Sequence, residues 1–198
     1  MGQLQIKRTV LSSYKTNCYI ITDEENNGVI VDPADNGPEI GEYIETEGIK
    51  LKAMLQTHGH SDHLGGSEYL RTKLSVPLYI HEADLDKAAE NGVHPDSLLK
   101  GGEEIELLGR RWQVIHTPGH TPGSVCYYLP EEGLMFSGDT LFYGTYGRTD
   151  LDGGDQAAIE RSITDILFAL PEETAAFPGH GMATDIKSEK KHNMILMR

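Results

Sequence analysis

The sequence predicts an α/β fold in which two β-sheets pack against each other and helices flank their outer faces. Three observations support this prediction. Apolar or β-branched segments typical of strands occur in both halves of the 198 residues, and helical segments are interspersed among them. A sheet commonly holds about four to six strands, so this many strands require a second sheet. Hydrophobic residues make up 38% of the chain, which is enough for a substantial core.

The elements of the first half follow from hydrophobic runs and the turn residues between them. The turn Asn26–Gly28 separates two of the first three strands, and Asp32-Pro33 ends the third. Pro38 stands near the start of the first helix and Gly48 follows its end. We predict strands at 4–11, 17–22, 28–32, 51–56 and 76–81, and helices at 38–47, 64–74 and 82–90.

The second half repeats this alternation. The segment LDGGD at 151–155 leads into a helix, and the segment AAFPGHG at 175–181 reads as a strand that ends in a tight turn. We predict further strands at 104–108, 111–116, 124–129 and 134–137, a helix at 156–168 and a polar closing helix from about residue 185.

Charge and cysteine content restrict the partners. The formal net charge of −14 would repel nucleic acids and anionic membranes. Cys18 and Cys126 lie far apart and form neither a CxxC motif nor a disulfide framework. The first residues lack the apolar core of a signal peptide, and no segment has the length of a membrane span. We therefore expect a cytoplasmic protein that acts on a small molecule.

Four side chains that can ligate metals crowd into the segment Thr57–His63. His58 and His60 are two residues apart, so both point to the same side of an extended chain. Asp62 and His63 follow in a turn before the predicted helix. Without a cation, such titratable groups at a strand end would repel and desolvate one another. The pattern therefore predicts a metal site on a loop, unlike the helical HExxH site.

Three further candidate ligands follow predicted strands at glycine-rich turns. His120 lies between two Pro-Gly turns, Asp139 follows the strand in FSGDTLF, and His180 stands in FPGHG. Glycines at positions 119, 138, 179 and 181 would let the backbone approach closely and adopt positive φ. With the first cluster these residues supply seven ligands, enough for two metals that share one carboxylate.

The segment THGHSDH, followed by His120, Asp139 and His180, resembles the motifs of the metallo-β-lactamase superfamily in their order along the chain. The resemblance extends from Asp32 to the last predicted helix. It implies a four-layer αβ/βα sandwich of two mixed sheets flanked by helices, with residues 1–198 forming one domain. It also implies that one metal is held by His58, His60 and His120 and the other by Asp62, His63 and His180, with Asp139 bridging.

Such a pair of metals suggests a reaction class. Two cations about 3.5–4 Å apart can bind a bridging hydroxide, lower its pKa and neutralise the oxyanion that forms when it attacks a carbonyl. Asp62 can bind a metal while it accepts the proton of the nucleophile. We expect two divalent metals, with zinc favoured and with iron or manganese also suited to these ligands.

The segment GDTLFYGTYGRTDLDGGD at 138–155 resembles short glyoxalase II-like hydrolases and, in GRTD, the persulfide dioxygenases. Both families act on glutathione-linked sulfur compounds. Arg148 is a candidate for binding a substrate carboxylate, although a salt bridge to Asp150 or Asp152 is equally open. Tyr146 is a second candidate substrate contact. Glyoxalase II enzymes usually have Lys and Tyr where this chain has Arg148 and Asp150, and they carry a basic C-terminal domain for which the sequence has no room. The substrate could therefore be a thioester without glutathione, or an ester.

Two function classes are open from the sequence. The favoured one is a metal-dependent hydrolase of thioesters such as hydroxyacylglutathione, with another esterase or lactonase of the same superfamily as an alternative. The other is a mononuclear iron persulfide dioxygenase, whose ligands in this chain would be His58, His120 and Asp139. True β-lactamases usually lack a bridging aspartate at position 139 and many are secreted, so we do not expect that activity. Nucleic-acid-processing branches are disfavoured by the charge.

Overall fold

The computed structural model describes residues 2–197, in which strands and helices alternate along the chain. The strands of the first half are β1 (Gln5–Leu11), β2 (Thr16–Thr22), β3 (Asn27–Val31), β4 (Lys50–Leu55), β5 (Leu78–His81) and β6 (Ser97–Leu99). Those of the second half are β7 (Glu104–Leu107), β8 (Arg110–His116), β9 (Val125–Leu129), β10 (Leu134–Gly138), β11 (Leu141–Phe142), β12 (Thr145–Tyr146), β13 (Ala175–Pro178) and β14 (Thr184–Asp185). The α-helices are α1 (Gly37–Thr46), α2 (Ser61–Leu64), α3 (Ser67–Leu74), α4 (Leu85–Glu90), α5 (Gln156–Arg161) and α6 (Ile186–His192).

The strands form two six-stranded mixed sheets and a separate hairpin of β11 and β12. The first sheet runs in chain order from β1 to β6, antiparallel up to β3 and parallel from there. The second sheet has the order β14-β13-β10-β9-β8-β7, and β10 and β13 are parallel neighbours within it. Because β8 and β10 are both antiparallel to β9, the carboxyl ends of β8, β10 and β13 lie at the same edge.

Three apolar clusters define four layers. The middle cluster lies between the sheets and includes Tyr19 and Val31 of the first sheet with Trp112 and Tyr127 of the second. A second cluster joins the first sheet to α1, α2, α3 and α4, and a third joins the second sheet to α5 and α6. The fold predicted from the sequence, two mixed sheets flanked by helices, is therefore confirmed.

Strand β2 shows how the sequence produces this layering. Cys18 and Ile20 pack toward the helices, whereas Tyr19 and Ile21 pack toward the second sheet. Alternate residues of a strand point to opposite faces, so a strand covered on both faces reads as a continuous apolar run. Both cysteines are buried free thiols, and burial raises the pKa of Cys18 and of Cys126 to about 12.

The predicted helix at 64–74 is instead two helices, α2 and α3. The interruption falls at Gly65 and Gly66, whose amides donate to the carbonyls of Ala34 and Pro33 at 3.0 and 2.8 Å. A Cβ at Gly65 would lie 2.6 Å from the Ala34 oxygen. The chain therefore breaks here to pack closely against the loop after β3, and the early start of α2 brings Asp62 and His63 into a helical turn.

Other differences from the predicted elements are confined to short pieces. Strands β6, β11, β12 and β14 have two or three residues each, which is too short for a recognisable pattern. The predicted helix at 156–168 is α-helical only to Arg161 and continues as a π-helical turn at Ser162–Ile166 and a 3₁₀ turn at Leu167–Ala169. Every helix within residues 2–197 is too short or too polar to span a bilayer.

Candidate metal centre

The candidate ligands meet where strand ends of both sheets converge. Hydrogen bonds join the sheets at this edge, from the Val125 amide to the Thr57 carbonyl at 2.9 Å and from the Asn17 amide to the Gly179 carbonyl at 2.7 Å. The hydroxyl of Tyr127 donates to the Gln56 carbonyl at 2.7 Å. The loops that follow β4, β8, β10 and β13 are therefore held against one another, and each carries candidate ligands.

We call the seven predicted ligand residues the floor, because five of them line a cavity and the other two, His58 and His63, are buried beside those five. The seven are His58 and His60 after β4, Asp62 and His63 in α2, His120 in the loop after β8, Asp139 after β10 and His180 after β13. His58, His63, His120 and Asp139 are buried, and the other three are partly exposed.

The floor contains three groups of side chains that could each hold a metal ion, with ligand atoms all within 4.8 Å of one another. The groups are His58 with His60 and His120, His58 with His63 and Asp139, and Asp62 with His63 and His180. Two of these triplets coincide with the two halves of the partition that the superfamily resemblance implied. The middle triplet overlaps both, as a shared carboxylate would require.

Several contacts in the floor bring ring nitrogens and carboxylate oxygens toward common points. His60 Nδ1 lies 2.9 Å from His120 Nε2, and His63 Nε2 lies 3.3 Å from His180 Nε2. Asp139 approaches both sides, with Oδ2 at 3.5 Å from His120 Nε2 and at 3.4 Å from His180 Nε2. Asp139 therefore lies between the two outer triplets.

Two buried atoms of the floor fit a metal particularly well. The Nε2 atom of His58 has no hydrogen-bond partner among the described residues, and the Oδ1 atom of Asp139 has only an ion-pair contact with His63 Nε2 at 3.4 Å. A buried polar atom without a partner costs about 1–3 kcal/mol, so native proteins rarely retain one without a ligand. Both atoms belong to the donor types that zinc, iron and manganese accept. The residues present thus fit a divalent metal centre.

The charges of the floor depend on its own carboxylates. Burial alone would lower the pKa of His63, but Asp139 and Asp32 hold it well above its usual range. Likewise, hydrogen bonds to Asp139 and Asp62 outweigh burial and raise the pKa of His180 to about 10. These histidines therefore hold protons at neutral pH in the metal-free protein, and a metal that binds to them must displace those protons.

The other floor groups shift in the directions their neighbours dictate. Burial and neighbouring histidines lower the pKa of His58 well below its usual range and that of His60 to about 4. Burial would raise the pKa of Asp139, but His63 and His180 hold it well below its usual range. For Asp62 the hydrogen bond to His180 outweighs burial and lowers the pKa to about 2. Both carboxylates are therefore ionised at neutral pH.

Asp32 supports the floor in a way that the sequence analysis missed. Its Oδ2 accepts hydrogen bonds from His63 Nδ1 at 2.8 Å and from the Thr57 hydroxyl at 2.7 Å, and its Oδ1 accepts from the Thr57 amide at 2.8 Å. Its bond to Nδ1 leaves His63 Nε2 facing the centre. The sequence signal was present, since Asp32 is a charged residue directly after the buried strand β3, but it was interpreted only as a strand end.

Two of the four glycines singled out in the sequence let backbones approach the floor. A Cβ at Gly179 would collide with Asp139 Oδ1 and lie 2.6 Å from His63 Cε1. A Cβ at Gly138, which has φ +49°, would lie 2.5 Å from the Thr57 side chain. Positive φ is found at positions 119, 138 and 181, as predicted, whereas Gly179 serves close approach alone.

The cavity above the floor has a volume of about 640 Å³. We call its outer wall the rim, which consists of Tyr14, Phe142, Tyr146, Arg148 and Leu151. Both predicted substrate contacts, Tyr146 and Arg148, belong to this rim. The guanidinium of Arg148 donates two hydrogen bonds to Asp150, at 2.6 and 2.7 Å. The backbone carbonyl of Arg148 contacts His120 Nδ1 at 2.8 Å.

Three histidines outside the floor differ in exposure. His94 and His192 are exposed, whereas His81 is buried in β5. His81 stacks on His116, with ring centroids 4.2 Å apart, and its Nδ1 accepts from the Ala83 amide. The segment from Ile186 to Met197 packs against the second sheet through Ile186 and Ile195 and does not line the cavity.

The fold and the histidine–aspartate cluster together define a metal-binding αβ/βα sandwich. The model of the metallo-β-lactamase superfamily matches residues 13–180, and the chain belongs to that superfamily. Among curated relatives, it is 34% identical over 204 residues to the probable metallo-hydrolase YqgX of Bacillus subtilis, covering 96% of each protein. It is 32% identical over 208 residues to the hydroxyacylglutathione hydrolase GloC of Haemophilus influenzae, covering 98% of each. These matches support a metallo-hydrolase.

Solved structures agree with this classification. The crystal structure of BLEG-1 B3 metallo-β-lactamase superposes with a TM-score of 0.92 at 34% identity, covering 98% of this chain and all of the other. The crystal structure of TTHA1623 in a di-iron-bound form superposes with a TM-score of 0.84 at 35% identity, covering 95% of this chain and 98% of the other. Members of this superfamily bind divalent metals, and the floor supplies suitable ligands.

Proposed function

We propose that the protein is a cytoplasmic two-metal hydrolase that cleaves small thioesters, with hydroxyacylglutathione as the first candidate substrate. The observation that carries this proposal is the convergence of seven ligand side chains into three overlapping groups beside one cavity. A curated relative of nearly equal length is named a hydroxyacylglutathione hydrolase, which supports the choice of substrate class.

We assign the seven floor residues to two divalent metals. His58, His60 and His120 would hold one metal, Asp62, His63 and His180 the other, and Asp139 both. Zinc is the favoured metal, and iron or manganese would suit the same nitrogen and oxygen atoms. Metals bound there would act as Lewis acids on a carbonyl oxygen and would lower the pKa of water.

Asp62 is the residue to which we assign proton transfer. Its carboxylate is partly exposed to the cavity and receives a hydrogen bond from the Thr16 hydroxyl at 3.0 Å, which fixes its orientation. It is ionised at neutral pH, with a pKa lowered to about 2 in the metal-free protein, and it lies at the cavity where it could accept the proton that an attacking water molecule releases. The protonated side chain can then return that proton to the departing thiolate.

The rim is assigned to substrate binding. Tyr146 and Phe142 offer aromatic surface beside the floor, and Arg148 offers the cation that a substrate carboxylate would require. Its guanidinium is bonded to Asp150, so an anionic substrate must compete with that carboxylate. The rim side chains would therefore determine whether the protein prefers a glutathione thioester to a less charged thioester.

The iron dioxygenase alternative would use only His58, His120 and Asp139. In the structure, Asp62, His63 and His180 form a further ligand group, but these residues occur in both families that the sequence resembles, so the ligand set alone does not choose between them. The hydrolase names of two relatives that match over nearly their whole length favour hydrolysis.

A paired assay tests the proposal. We expect the purified protein to contain about two metals per chain by elemental analysis and to cleave S-lactoylglutathione or a simpler thioester. One iron per chain, with oxygen uptake on glutathione persulfide and no thioester cleavage, would establish the dioxygenase instead. A chromogenic cephalosporin is the third substrate, because a β-lactam is also opened at a carbonyl and one similar structure is a B3 metallo-β-lactamase. Efficient cephalosporin cleavage without thioester cleavage would overturn the assigned substrate class.

A further inference from the structure

A second buried carboxylate, Asp84, contacts the segments that carry floor residues. It ends the 3₁₀ turn Glu82–Asp84 after β5 and precedes α4. Its side chain is fully buried, with 0% exposure. A buried carboxylate is costly unless donors surround it, so its contacts indicate why the position carries this residue.

The contacts of Asp84 join two ligand loops. Its Oδ2 accepts hydrogen bonds from the Gly59 amide at 2.7 Å and from the Thr121 hydroxyl at 2.6 Å, and its Oδ1 accepts from the Gly123 amide at 2.8 Å. Gly59 stands between His58 and His60, and Thr121 directly follows His120. One carboxylate therefore connects the segments that carry all three ligands of the first triplet.

The surrounding backbone is built around this carboxylate. A Cβ at Gly123 would lie 2.6 Å from Asp84 Cγ, and a Cβ at Gly59 would lie 3.1 Å from Asp84 Cβ. At Gly123 the loop therefore lies closer to the carboxylate than a side chain would allow, and at Gly59 a side chain would be in tight contact with Asp84. Thr121 is held by a second contact, 2.8 Å from its hydroxyl to that of Ser124. Small residues and short bonds leave little freedom in the spacing of the two loops.

We propose that Asp84 is a positioning residue that sets the distance between the His58–His60 segment and His120, and so controls the affinity of that triplet for its metal. This inference rests on the proposed two-metal centre. Asp84 touches no ligand side chain among its hydrogen bonds and acts through the Gly59, Thr121 and Gly123 contacts. Asp32 contacts the second triplet, Asp62 with His63 and His180, through His63, and it also holds Thr57 beside His58. The hydrogen bonds of Asp84, by contrast, reach only the segments that carry the first triplet, so its support separates the two metal positions.

The variant Asp84→Asn tests this separation. An amide keeps the shape of the carboxylate but places an NH₂ group opposite one of the backbone amides, so one loop must move away. We expect metal affinity at one of the two positions to fall about 10- to 100-fold, with the other position changed less than about threefold. Zinc binding is measured by competition with a chromophoric chelator, which resolves the two steps without reference to activity. The kcat should fall with the weakened position, while KM changes little.

Glu189→Gln is the matched control. Glu189 is also buried and accepts hydrogen bonds from the Gly144 amide, the Thr184 hydroxyl and the Asn193 side chain, but it contacts neither ligand loop. We expect both variants to lower Tm by a few °C, because each leaves one buried polar group unsatisfied. Only Asp84→Asn should also weaken metal binding. If Asp84→Asn is insoluble, Thr121→Val removes a single donor and should weaken the same position about three- to tenfold.

The outcomes separate this inference from the proposed function. Wild-type protein that binds two metals, with Asp84→Asn and Glu189→Gln both lowering Tm and neither changing metal affinity, would overturn the role of Asp84 alone. Equal weakening of both metal positions in Asp84→Asn would also overturn it, because the proposed support is specific to one triplet. Wild-type protein that binds fewer than two metals would overturn the two-metal centre itself and this inference with it.

Discussion

The floor and the rim of the cavity are built in opposite ways. Floor side chains are fixed from behind, as His63 is by Asp32 and His120 by the Arg148 carbonyl. Among the rim side chains, Tyr14 is 70% and Leu151 40% exposed, Phe142 and Tyr146 are half-buried, and the Arg148 guanidinium is held by an exposed carboxylate. Fixed ligands define a reaction class, whereas exposed side chains set the choice of substrate at smaller energetic cost. Changes to the floor should therefore have large effects and changes to the rim small ones.

The largest effect is expected for His58→Ala. This change removes a ligand atom shared by two of the three triplets, so metal and activity should be lost together, with kcat/KM falling on the order of 10³-fold or more. Elemental analysis and thioester hydrolysis measure the two losses. His94→Ala is the control, because that histidine is exposed and remote from the floor. Full activity in His58→Ala would refute the assignment of the site.

Metal removal should destabilise the whole sandwich, because the floor joins loops from both sheets. A metal present at about 1,000 times its dissociation constant contributes about 4 kcal/mol, which corresponds to roughly 10 °C in Tm for a chain of this size. We expect a chelator to lower Tm by about that amount and added zinc to restore it. Verified removal of metal without a change in Tm would show that the floor is preformed and does not depend on metal for its stability.

Asp32→Asn tests whether the support behind the floor matters for function. Asp32 has φ +50°, a conformation that asparagine also tolerates, so the backbone should stay in place. The amide cannot accept all three hydrogen bonds that Asp32 accepts, and its charge beside His63 is lost. We expect a 10- to 100-fold loss of kcat/KM or of metal affinity.

The control for this variant is Asp35→Asn, which changes an exposed carboxylate in the same loop. Equal effects of the two substitutions would mean that the loop, and not the bond to His63, accounts for any loss.

The contrast between floor and rim also explains how much the sequence could predict. His58, His60 and Asp62 lie within one short segment, and their spacing alone indicates a metal site. Spacing along the chain carries no comparable signal for Asp32 or Asp84, because the residues that they contact are 25 or more positions away. Asp32 contacts Thr57, and Asp84 contacts Gly59 and Gly123. The hairpin of β11 and β12, which carries Phe142 and Tyr146 of the rim, has strands of two residues and no periodic pattern.

The smallest effect is expected at the rim, from Asp150→Asn. The Arg148–Asp150 pair is exposed, so releasing the guanidinium should change binding only about two- to fivefold. The hydrogen bond to Arg148 lowers the pKa of Asp150 to about 2, so this carboxylate is ionised throughout the neutral range and is protonated only in strong acid. With the competing carboxylate removed, KM should fall for S-lactoylglutathione and stay constant for the uncharged S-lactoyl-N-acetylcysteamine, with kcat unchanged for both. Asp152→Asn is the control, because Asp152 is also exposed and pairs with Lys87, and neither residue lines the cavity. If KM for the charged thioester does not respond, Arg148 is a surface ion pair and the glutathione carboxylates are not recognised there. A fall in KM for both thioesters would instead mean that the substitution has changed the shape of the rim, and that the rim does not select substrates by their charge.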